Sequence, residues 1–210
     1  LGVFASRRPR HRGRTEVSEA LELFRENVRR FVTQQVQPHY EQWERDEIVP
    51  REIWHRLGEQ GLLCVDIPEA YGGPGADFRF SMVILEEFSR GNCGGLGGPM
   101  AVHSDIVAHY LLNNGSEAQK QQYLPRMVSG ECVGAVAMTE PGAGSDLQGL
   151  RTTARREGGD YVINGSKTFI TNGQHCDMVI VVARTNTEVP GSRGTSLFIV
   201  DCDTPGFQRG

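Results

Sequence analysis

The sequence lacks any apolar run that is long enough to cross a membrane. Its longest apolar stretches, such as Met178–Ala183, have only the length of a β-strand. The chain also lacks a C-x-x-C pair and any other spacing that is typical of a metal site. Its five cysteines are widely scattered, so we expect reduced thiols of an intracellular protein. The sequence therefore predicts no membrane span, no metal site and no disulfide framework.

An excess of positive charge is also missing from most of the chain. The formal net charge is −4, although five arginines are concentrated in the first 14 residues. The remaining chain is therefore acidic, which makes nucleic acid an unfavourable partner. Residues 1–17 are interpreted as a basic, disordered tail. The alternative is a transit-like targeting segment, because this part is rich in arginine and its first 14 residues contain no acidic residue.

Two regions follow this tail, and they differ in the period of their apolar residues. Residues 18–131 have helical spacing and predict an N-terminal all-α domain. Residues 132–210 contain short apolar runs between turn residues, which predicts a middle domain with an antiparallel β-sheet or barrel. Gly158 and Gly159 are expected to join two of these runs in a hairpin. The fold class is thus α+β, with strands expected at Val133–Met138, Arg151–Arg156, Tyr161–Asn164, Lys167–Thr171, Met178–Ala183 and Ser196–Val200.

Local signals predict where several helices begin and end. Ser18 is a candidate N-cap of the first helix, and Pro38 is expected to end that segment. The glycine cluster Gly94–Gly98 predicts a break between the third and fourth helices. Ser116 and Gln119 have the spacing of a capping box, which predicts the start of another helix.

A glycine-rich loop after the first apolar run is the most informative segment. Pro141 and Gly142 predict a tight turn, and Gly142 and Gly144 leave backbone N–H groups without a neighbouring Cβ. Such groups suit an anionic or carbonyl-rich ligand, and the hydroxyls of Thr139 and Ser145 add hydrogen-bonding capacity. This pattern favours a cofactor loop, whereas glycines that only form a turn between strands are the alternative.

Two common phosphate-binding motifs do not fit this loop. Leu147 occupies the position of the third glycine in the dinucleotide-binding pattern. The sequence also contains no G-x-x-x-x-G-K-[ST] motif, so a P-loop is excluded.

The segment MTEPGAGSD, residues 138–146, resembles the flavin-binding signature of the acyl-CoA dehydrogenase family. Three further segments are similar to parts of that family, and the resemblance covers roughly residues 18–210 in family order. They are LLCVDIPEAYGG at 62–73, NGSEAQKQQYLPRMVSG at 114–130 and NGSKTFITNG at 164–173. The details are most similar to the long-chain or bacterial fatty-acyl branch.

The resemblance implies an FAD site that two segments share. Phe169 would pack on the flavin, where relatives commonly have tryptophan, and Thr171 would lie on the same face of a predicted strand. Glu140 is implied to support the loop and not to act as a base. The implied cofactor contacts are Val136, Ala137, Met138, Thr139, Glu140, Pro141, Gly142, Ala143, Gly144, Ser145, Phe169, Ile170 and Thr171.

Three residues are implied to contact the CoA part of an acyl-CoA substrate, namely Ser145, Ser192 and Arg193. Arg193 suits a phosphate, although a solvated arginine in a hairpin is an equally good interpretation. His103 lies in a helix that lines the acyl pocket of relatives. A lone helical histidine is nevertheless expected to have a structural role.

The resemblance also implies that the catalytic base lies outside residues 1–210. Relatives supply this carboxylate from a C-terminal helical domain, so we expect a fragment with an incomplete middle domain, without that helical bundle and with no catalytic residue of its own. The implied reaction is α,β-dehydrogenation of fatty acyl-CoA to trans-2-enoyl-CoA in β-oxidation. The implied acceptor is an electron-transfer flavoprotein, and the full-length protein would be a homo-oligomer, a tetramer or a dimer.

Other functions are compatible with the same fold. An acyl-CoA oxidase or a flavin monooxygenase would use the same flavin site with oxygen. A non-catalytic, truncated paralogue that binds flavin or CoA is a further alternative. The expected location is the bacterial cytoplasm, with the mitochondrial matrix as the alternative.

Overall fold

The computed structural model describes residues 12–189 and 191–210. Residues 1–11 of the predicted tail lie outside the described residues, whereas residues 12–17 belong to the first helix. The described helices are α1 Arg12–Phe31, α2 Gln37–Arg45, α3 Glu52–Glu59, α4 Phe78–Arg90, α5 Gly94–Ala101, α6 Ala108–Asn114 and α7 Glu117–Val128. None of the helices within these ranges is both long enough and apolar enough to cross a membrane.

The first helical segment differs from the prediction at both ends. Ser18 lies inside α1 and is not its N-cap, because the helix already begins at Arg12. Pro38 does not end the segment, since a π-helical turn at Val32–Val36 leads directly into α2. The proline occupies the first turn of α2, where a backbone N–H group is not needed for the hydrogen bonds of that helix.

The glycine cluster Gly94–Gly98 lies within α5, so the predicted break at this cluster is wrong. Close packing against neighbouring helices explains why this glycine-rich segment is helical. A Cβ added to Gly95 would lie 2.5 Å from the hydroxyl of Tyr40, and one added to Gly97 would lie 3.2 Å from Cβ of Phe88. Small residues thus allow α5 to approach its neighbours closely, and this tertiary contact outweighs the low helix propensity of glycine.

The capping box at the start of α7 is confirmed. The backbone N–H of Gln119 donates to Oγ of Ser116, and the backbone N–H of Ser116 donates to Oε1 of Gln119. These bonds satisfy two N–H groups that the first turn of a helix leaves free.

The second half of the chain forms a mixed sheet that does not close into a barrel within the described residues. β1 pairs in parallel with the first part of β4, and β2 pairs in parallel with the last residue of β4 on the same edge. β5 pairs antiparallel with β4 along its other edge. β2 and β3 form an antiparallel hairpin around Gly158 and Gly159, as predicted. The expected all-antiparallel sheet is therefore wrong, while the order of a helical domain and then a sheet is confirmed. The strands are β1 Gly134–Ala137, β2 Thr153–Glu157, β3 Asp160–Asn164, β4 Met178–Arg184 and β5 Thr195–Asp201.

The run Lys167–Thr171 is not a strand. Phe169 has φ 55° and Asn172 has φ 67°, and both values lie outside the extended region. The side-chain amide of Asn172 donates to the carbonyl oxygens of Pro99 and Gly134, which are distant in sequence. These bonds hold the segment as a turn, so Phe169 and Thr171 do not share a strand face.

The helical and sheet regions share one apolar core. Met178 and Ile180 of β4 are buried in the same cluster as Trp54, Leu57 and Phe88 of the helices. Since β4 is the central strand, the helices cover one face of the sheet. A smaller cluster around Ala135, Ala137, Cys176, Val179 and Val181 lies apart from this core.

Arg51 adds a polar connection between the two regions. Its guanidinium donates to the carbonyl oxygens of His175 and Glu131, each at 2.7 Å, and to Oδ2 of Asp177 at 2.6 Å. The same carboxylate oxygen accepts the backbone N–H of Val133, just before β1. The start of α3 is thereby fixed to the start of the sheet.

Candidate functional site

The loop after β1 contains the predicted tight turn. The backbone N–H of Glu140 donates to the oxygen of Ala143 at 2.9 Å, and the N–H of Ala143 donates back to Glu140 at 3.1 Å. Pro141 and Gly142 occupy the two central positions, where proline fixes one of the two backbone angles in advance. The turn is confirmed, and it presents the next residues to solvent.

Glu140 anchors this loop from beneath. Its carboxylate is 7% exposed and accepts the backbone N–H groups of Arg151 and Thr152 at 2.6 and 2.9 Å. Nζ of Lys167 donates to the same carboxylate at 2.9 Å. Burial alone would raise the pKa of Glu140, but its bonds to Thr152, Arg151 and Lys167 lower it to about 2. Such a carboxylate is a weak base, and its three hydrogen bonds connect the loop to Arg151, Thr152 and Lys167.

Lys167 connects the two segments that the sequence assigned to the flavin. Besides Glu140, its Nζ donates to the carbonyl oxygen of Met138 at 2.9 Å. The next backbone N–H, that of Thr168, donates to the carbonyl oxygen of Thr139 at 3.0 Å. Sequence reasoning missed this residue, and the available signal was a charged side chain inside a run that was predicted to be a half-buried strand.

The far side of the loop is open. Pro141, Gly142, Gly144 and Ser145 are exposed. A Cβ added to Gly142 or Gly144 would meet no atom within 4 Å among the described residues. The backbone of this part of the loop is therefore accessible to a ligand, in agreement with the cofactor interpretation.

The other residues of the first segment lie deeper. Ala137 and Ala143 are buried, while Val136, Met138 and Thr139 are half-buried. Their side chains therefore mainly support the backbone and offer little surface to a ligand. Any contact of this strand end with a ligand would involve mainly the backbone and the hydroxyl of Thr139.

Phe169 is the most exposed large apolar residue that the structure describes. Its side chain is 93% exposed, and its backbone has φ 55°, a conformation that nonglycine residues rarely adopt. Thr171 is exposed as well, whereas Ile170 between them is half-buried and packs with the smaller cluster beside β1 and β4. The turn thus places an aromatic ring in solvent close to the open loop, where a planar ligand could stack on it.

Ser192 and Arg193 lie in a short helical turn, Gly191–Gly194, and both are exposed. This turn contacts the turn Leu147–Gly149, which follows Ser145. Arg184 supports both turns, because its guanidinium donates to the carbonyl oxygens of Gln148 and Val189. Ser192 and Arg193 thus lie on a turn that adjoins the turn just after Ser145.

His103 has the structural role that was expected for it. It is fully buried; its Nδ1 accepts the backbone N–H of Gly134 at 3.0 Å, and its Nε2 lies 3.1 Å from the carbonyl oxygen of Met127. These partners require the neutral tautomer with hydrogen on Nε2. Burial lowers the pKa of His103 to about 4, so the ring stays neutral near pH 7.

A cavity of about 320 Å³ lies between α2, α5 and the turn after Ile170. Its lining includes Trp43, Trp54 and His175. Among the residues predicted to contact the cofactor, it includes only Ile170. The cavity is therefore separate from the exposed face that Phe169 and the glycine-rich loop present.

Solved and curated proteins resemble this chain over most of its length. The long-chain specific acyl-CoA dehydrogenase, mitochondrial, of Sus scrofa is 49% identical over 190 residues, which cover 90% of this chain and 44% of that protein. An acyl-CoA dehydrogenase from Geobacillus kaustophilus has a TM-score of 0.89 at 47% identity, over 91% of this chain and 50% of its own. A glutaryl-CoA dehydrogenase from Mycobacterium smegmatis in complex with FADH2 has a TM-score of 0.83 at 32% identity, over 90% of this chain and 47% of its own.

The chain spans about half the length of these relatives. Residues 18–131 match the N-terminal domain of acyl-CoA dehydrogenases, and residues 135–210 match their middle domain. These two matches account for both the helical region and the mixed sheet. The chain belongs to the acyl-CoA dehydrogenase family.

Proposed function

We propose that this chain forms one side of an FAD site in an enzyme that dehydrogenates acyl-CoA thioesters. The observation that carries the proposal is the exposed ring of Phe169, held beside an open loop. A large aromatic face in water is unfavourable unless another apolar surface covers it. The planar ring system of a flavin has the right shape for such a surface.

Each exposed group then has a role towards the cofactor. Phe169 stacks on a face of the flavin ring, and the hydroxyls of Thr139 and Thr171 lie towards its polar edge. The backbone N–H groups of Gly144 and Ser145 suit the pyrophosphate, because both residues are exposed and a Cβ on Gly144 would meet open space. When bound, FAD supplies the capacity to accept a hydride from Cβ of the substrate. The buried ion pair of Glu140 and Lys167 keeps the two segments in place.

The base that removes the α-proton is proposed to lie outside residues 1–210. Removal of that proton requires a carboxylate over the substrate and donors to the thioester oxygen. Glu140 is unsuited, since it is buried, hydrogen-bonded on both oxygens and has a pKa of about 2. The remainder of a protein as long as the relatives has room for this residue.

The proposed substrate is a fatty acyl-CoA, which yields a trans-2-enoyl-CoA as in β-oxidation. Ser145, Ser192 and Arg193 contact the CoA part, and the guanidinium of Arg193 pairs with a phosphate. The similarity to a long-chain specific enzyme supports this substrate class. We propose an electron-transfer flavoprotein as the acceptor and a homo-oligomer, a tetramer or a dimer, as the assembly. The compartment is the bacterial cytoplasm or, as the alternative, the mitochondrial matrix.

FAD titration of purified protein tests the half-site. Phe169→Ala should weaken FAD binding by about 2- to 10-fold, because an aromatic stacking contact contributes roughly 0.5–1.5 kcal/mol. Phe169→Trp should bind like the parent. Tyr161→Ala, which removes a half-exposed ring from the β2–β3 hairpin, is the matched control. Equal affinity of the parent and Phe169→Ala would contradict the proposed stacking.

Two measurements test the reaction. Sequencing of the DNA after codon 210 should reveal an open frame that encodes a helical domain with a glutamate, whereas a stop codon would favour a non-catalytic paralogue. Anaerobic addition of fatty acyl-CoA to the protein from that frame should bleach its flavin absorbance. Slow reoxidation in air, with fast transfer to an electron-transfer flavoprotein, would distinguish a dehydrogenase from an oxidase or a monooxygenase.

A further inference from the structure

Two cysteines that are distant in sequence meet at one end of the sheet. Cys176 precedes β4 and Cys202 follows β5, and the antiparallel register pairs Met178 with Asp201. The backbone N–H of Cys202 donates to the carbonyl oxygen of Asp177 at 2.8 Å, which fixes the two ends side by side. The two Sγ atoms are 3.4 Å apart and both thiols are free. Their separation exceeds a disulfide bond length of about 2 Å by an amount that side-chain rotation can close.

The surroundings give the two thiols different character. The hydrogen bond between the two thiols lowers the pKa of the Cys176 thiol, and the positive charge of Arg209 acts in the same direction. The same contact, together with burial, raises the pKa of Cys202. Cys176 is buried, whereas Cys202 is half-buried and opens the pair to solvent. A thiol with a lowered pKa thus lies next to an accessible second thiol, which is the arrangement of a redox-active pair.

The other three cysteines combine full burial with a raised pKa. Cys64, Cys93 and Cys132 are all buried. Burial raises the pKa of Cys93, and it raises the pKa values of Cys64 and Cys132 to about 12. These thiols are therefore poor nucleophiles near pH 7, and they serve as internal controls.

We propose that Cys176 and Cys202 form a reversible disulfide when the protein meets a hydroperoxide. The thiolate sulfur of Cys176 attacks the O–O bond and becomes a sulfenic acid, while the other oxygen leaves as water or an alcohol after taking up a proton. The sulfur of Cys202 then attacks that of Cys176, and its proton leaves with the sulfenic oxygen as water. The two thiols lose two electrons in total and the peroxide gains them. A dithiol reverses the reaction by exchange.

The bond would form beside the candidate cofactor site. The backbone N–H of Cys176 donates to the carbonyl oxygen of Asn172 at 2.7 Å, and Asn172 directly follows Thr171. Oxidation would therefore tie the end of β5 to the turn that carries Phe169 and Thr171. The reaction itself requires neither flavin nor substrate, so its outcome is independent of the proposed enzyme activity.

Peptide mapping of the purified protein tests this proposal. Trypsin cuts after Lys167, Arg184, Arg193 and Arg209, so Cys176 and Cys202 fall in the peptides 168–184 and 194–209. After brief treatment with hydrogen peroxide and alkylation of free thiols, the two peptides should appear linked, with two hydrogens fewer than their sum. Dithiothreitol should restore the separate peptides. Cys132→Ser should leave the link unchanged and Cys202→Ser should abolish it.

Thermal unfolding gives a second readout that does not depend on a variant. A disulfide between these positions constrains the unfolded chain, so peroxide should raise Tm reversibly by several degrees in the unmutated protein. Peroxide that leaves both thiols free, or that yields only sulfinic and sulfonic acids without the linked peptide, would overturn the proposal. A link formed only between separate molecules, seen as a dimer on a non-reducing gel, would overturn it as well.

Discussion

The two sides of the glycine-rich loop differ sharply in how they are held. On the buried side, Glu140 and Lys167 form an ion pair that also bonds three backbone groups. On the open side, Gly142, Gly144 and Ser145 are exposed, and the ring of Phe169 is almost fully in solvent. The buried side therefore sets the shape of the loop, and the open side remains free for contact. Substitutions on the first side should cost stability, and those on the second should cost ligand affinity alone.

The largest effect is expected from Lys167→Met. It leaves the carboxylate of Glu140 buried without its cation, which should lower the free energy of unfolding by about 3–5 kcal/mol. Arg155→Met breaks a pair of similar chemistry whose side chains are 78% and 50% exposed, and it should cost less than about 1 kcal/mol. Urea unfolding of both variants provides the measurement. Similar losses of unfolding free energy in Lys167→Met and Arg155→Met would show that burial of the ion pair does not determine its contribution to stability.

A pH dependence should reveal the same anchor. The folded-state pKa of Glu140 is about 2, below its ordinary value of 4.5, so its contribution to the free energy of unfolding is fully present above pH 4.5. It should be lost as the pH falls from 4.5 towards 2, by up to about 3 kcal/mol. The stability difference between the parent and Glu140→Gln should therefore shrink over this range. His103 titrates in both proteins, so its effect cancels in the stability difference. A difference that stays constant between pH 4.5 and 2 would contradict the lowered pKa of Glu140.

A pair of identical glycine substitutions compares the two sides directly. A Cβ on Gly165 would lie 2.2 Å from Oγ1 of Thr152, next to the buried anchor, whereas one on Gly144 meets open space. Gly165→Ala should destabilise the protein by about 1–3 kcal/mol. Gly144→Ala should change stability by less than about 0.5 kcal/mol while weakening FAD binding. Calorimetry and FAD titration measure both effects, and an unchanged affinity in Gly144→Ala would remove this glycine from the proposed pyrophosphate contact.

The smallest effect is expected at Arg193. Its side chain is exposed, so Arg193→Ala should leave stability unchanged. Loss of one exposed charge contact to phosphate should weaken CoA binding by up to about fivefold, and the loss should diminish at high salt. Isothermal titration with CoA at low and high salt tests this. Arg156→Ala on the exposed hairpin is the control, and equal losses would indicate a general charge effect.

Features that depend on neighbours in sequence could be predicted, and those that depend on distant partners could not. The capping box of Ser116 and the hairpin at Gly158 involve groups only a few residues apart. The helix through Gly94–Gly98 depends instead on contacts with Tyr40 and Phe88. The parallel pairing of β1 with β4 joins residues that are 44 positions apart, and no local pattern distinguishes it from an antiparallel pair.

The same distinction holds within the site. The turn at Pro141 and the supporting role of Glu140 were predictable from local composition and family resemblance. The left-handed backbone of Phe169 was not, because bonds from Asn172 to Pro99 and Gly134 hold that segment. Lys167 was overlooked for a similar reason, since its partners are 27 and 29 residues away. The family resemblance thus indicated which segments form the candidate site. The structure shows which hydrogen bonds hold these segments in place.

The guanidinium of Arg51 has a consequence for the folding order of this chain. Its three acceptors are 80, 124 and 126 residues away in sequence. These hydrogen bonds can therefore form only when very long loops have closed. The shared core imposes the same requirement, because Met178 fills a space among the helices. A chain cut at residue 131 would expose that space to water. We therefore expect the two matched domains to unfold as one cooperative unit, in which the helical half reaches its full stability only together with the sheet.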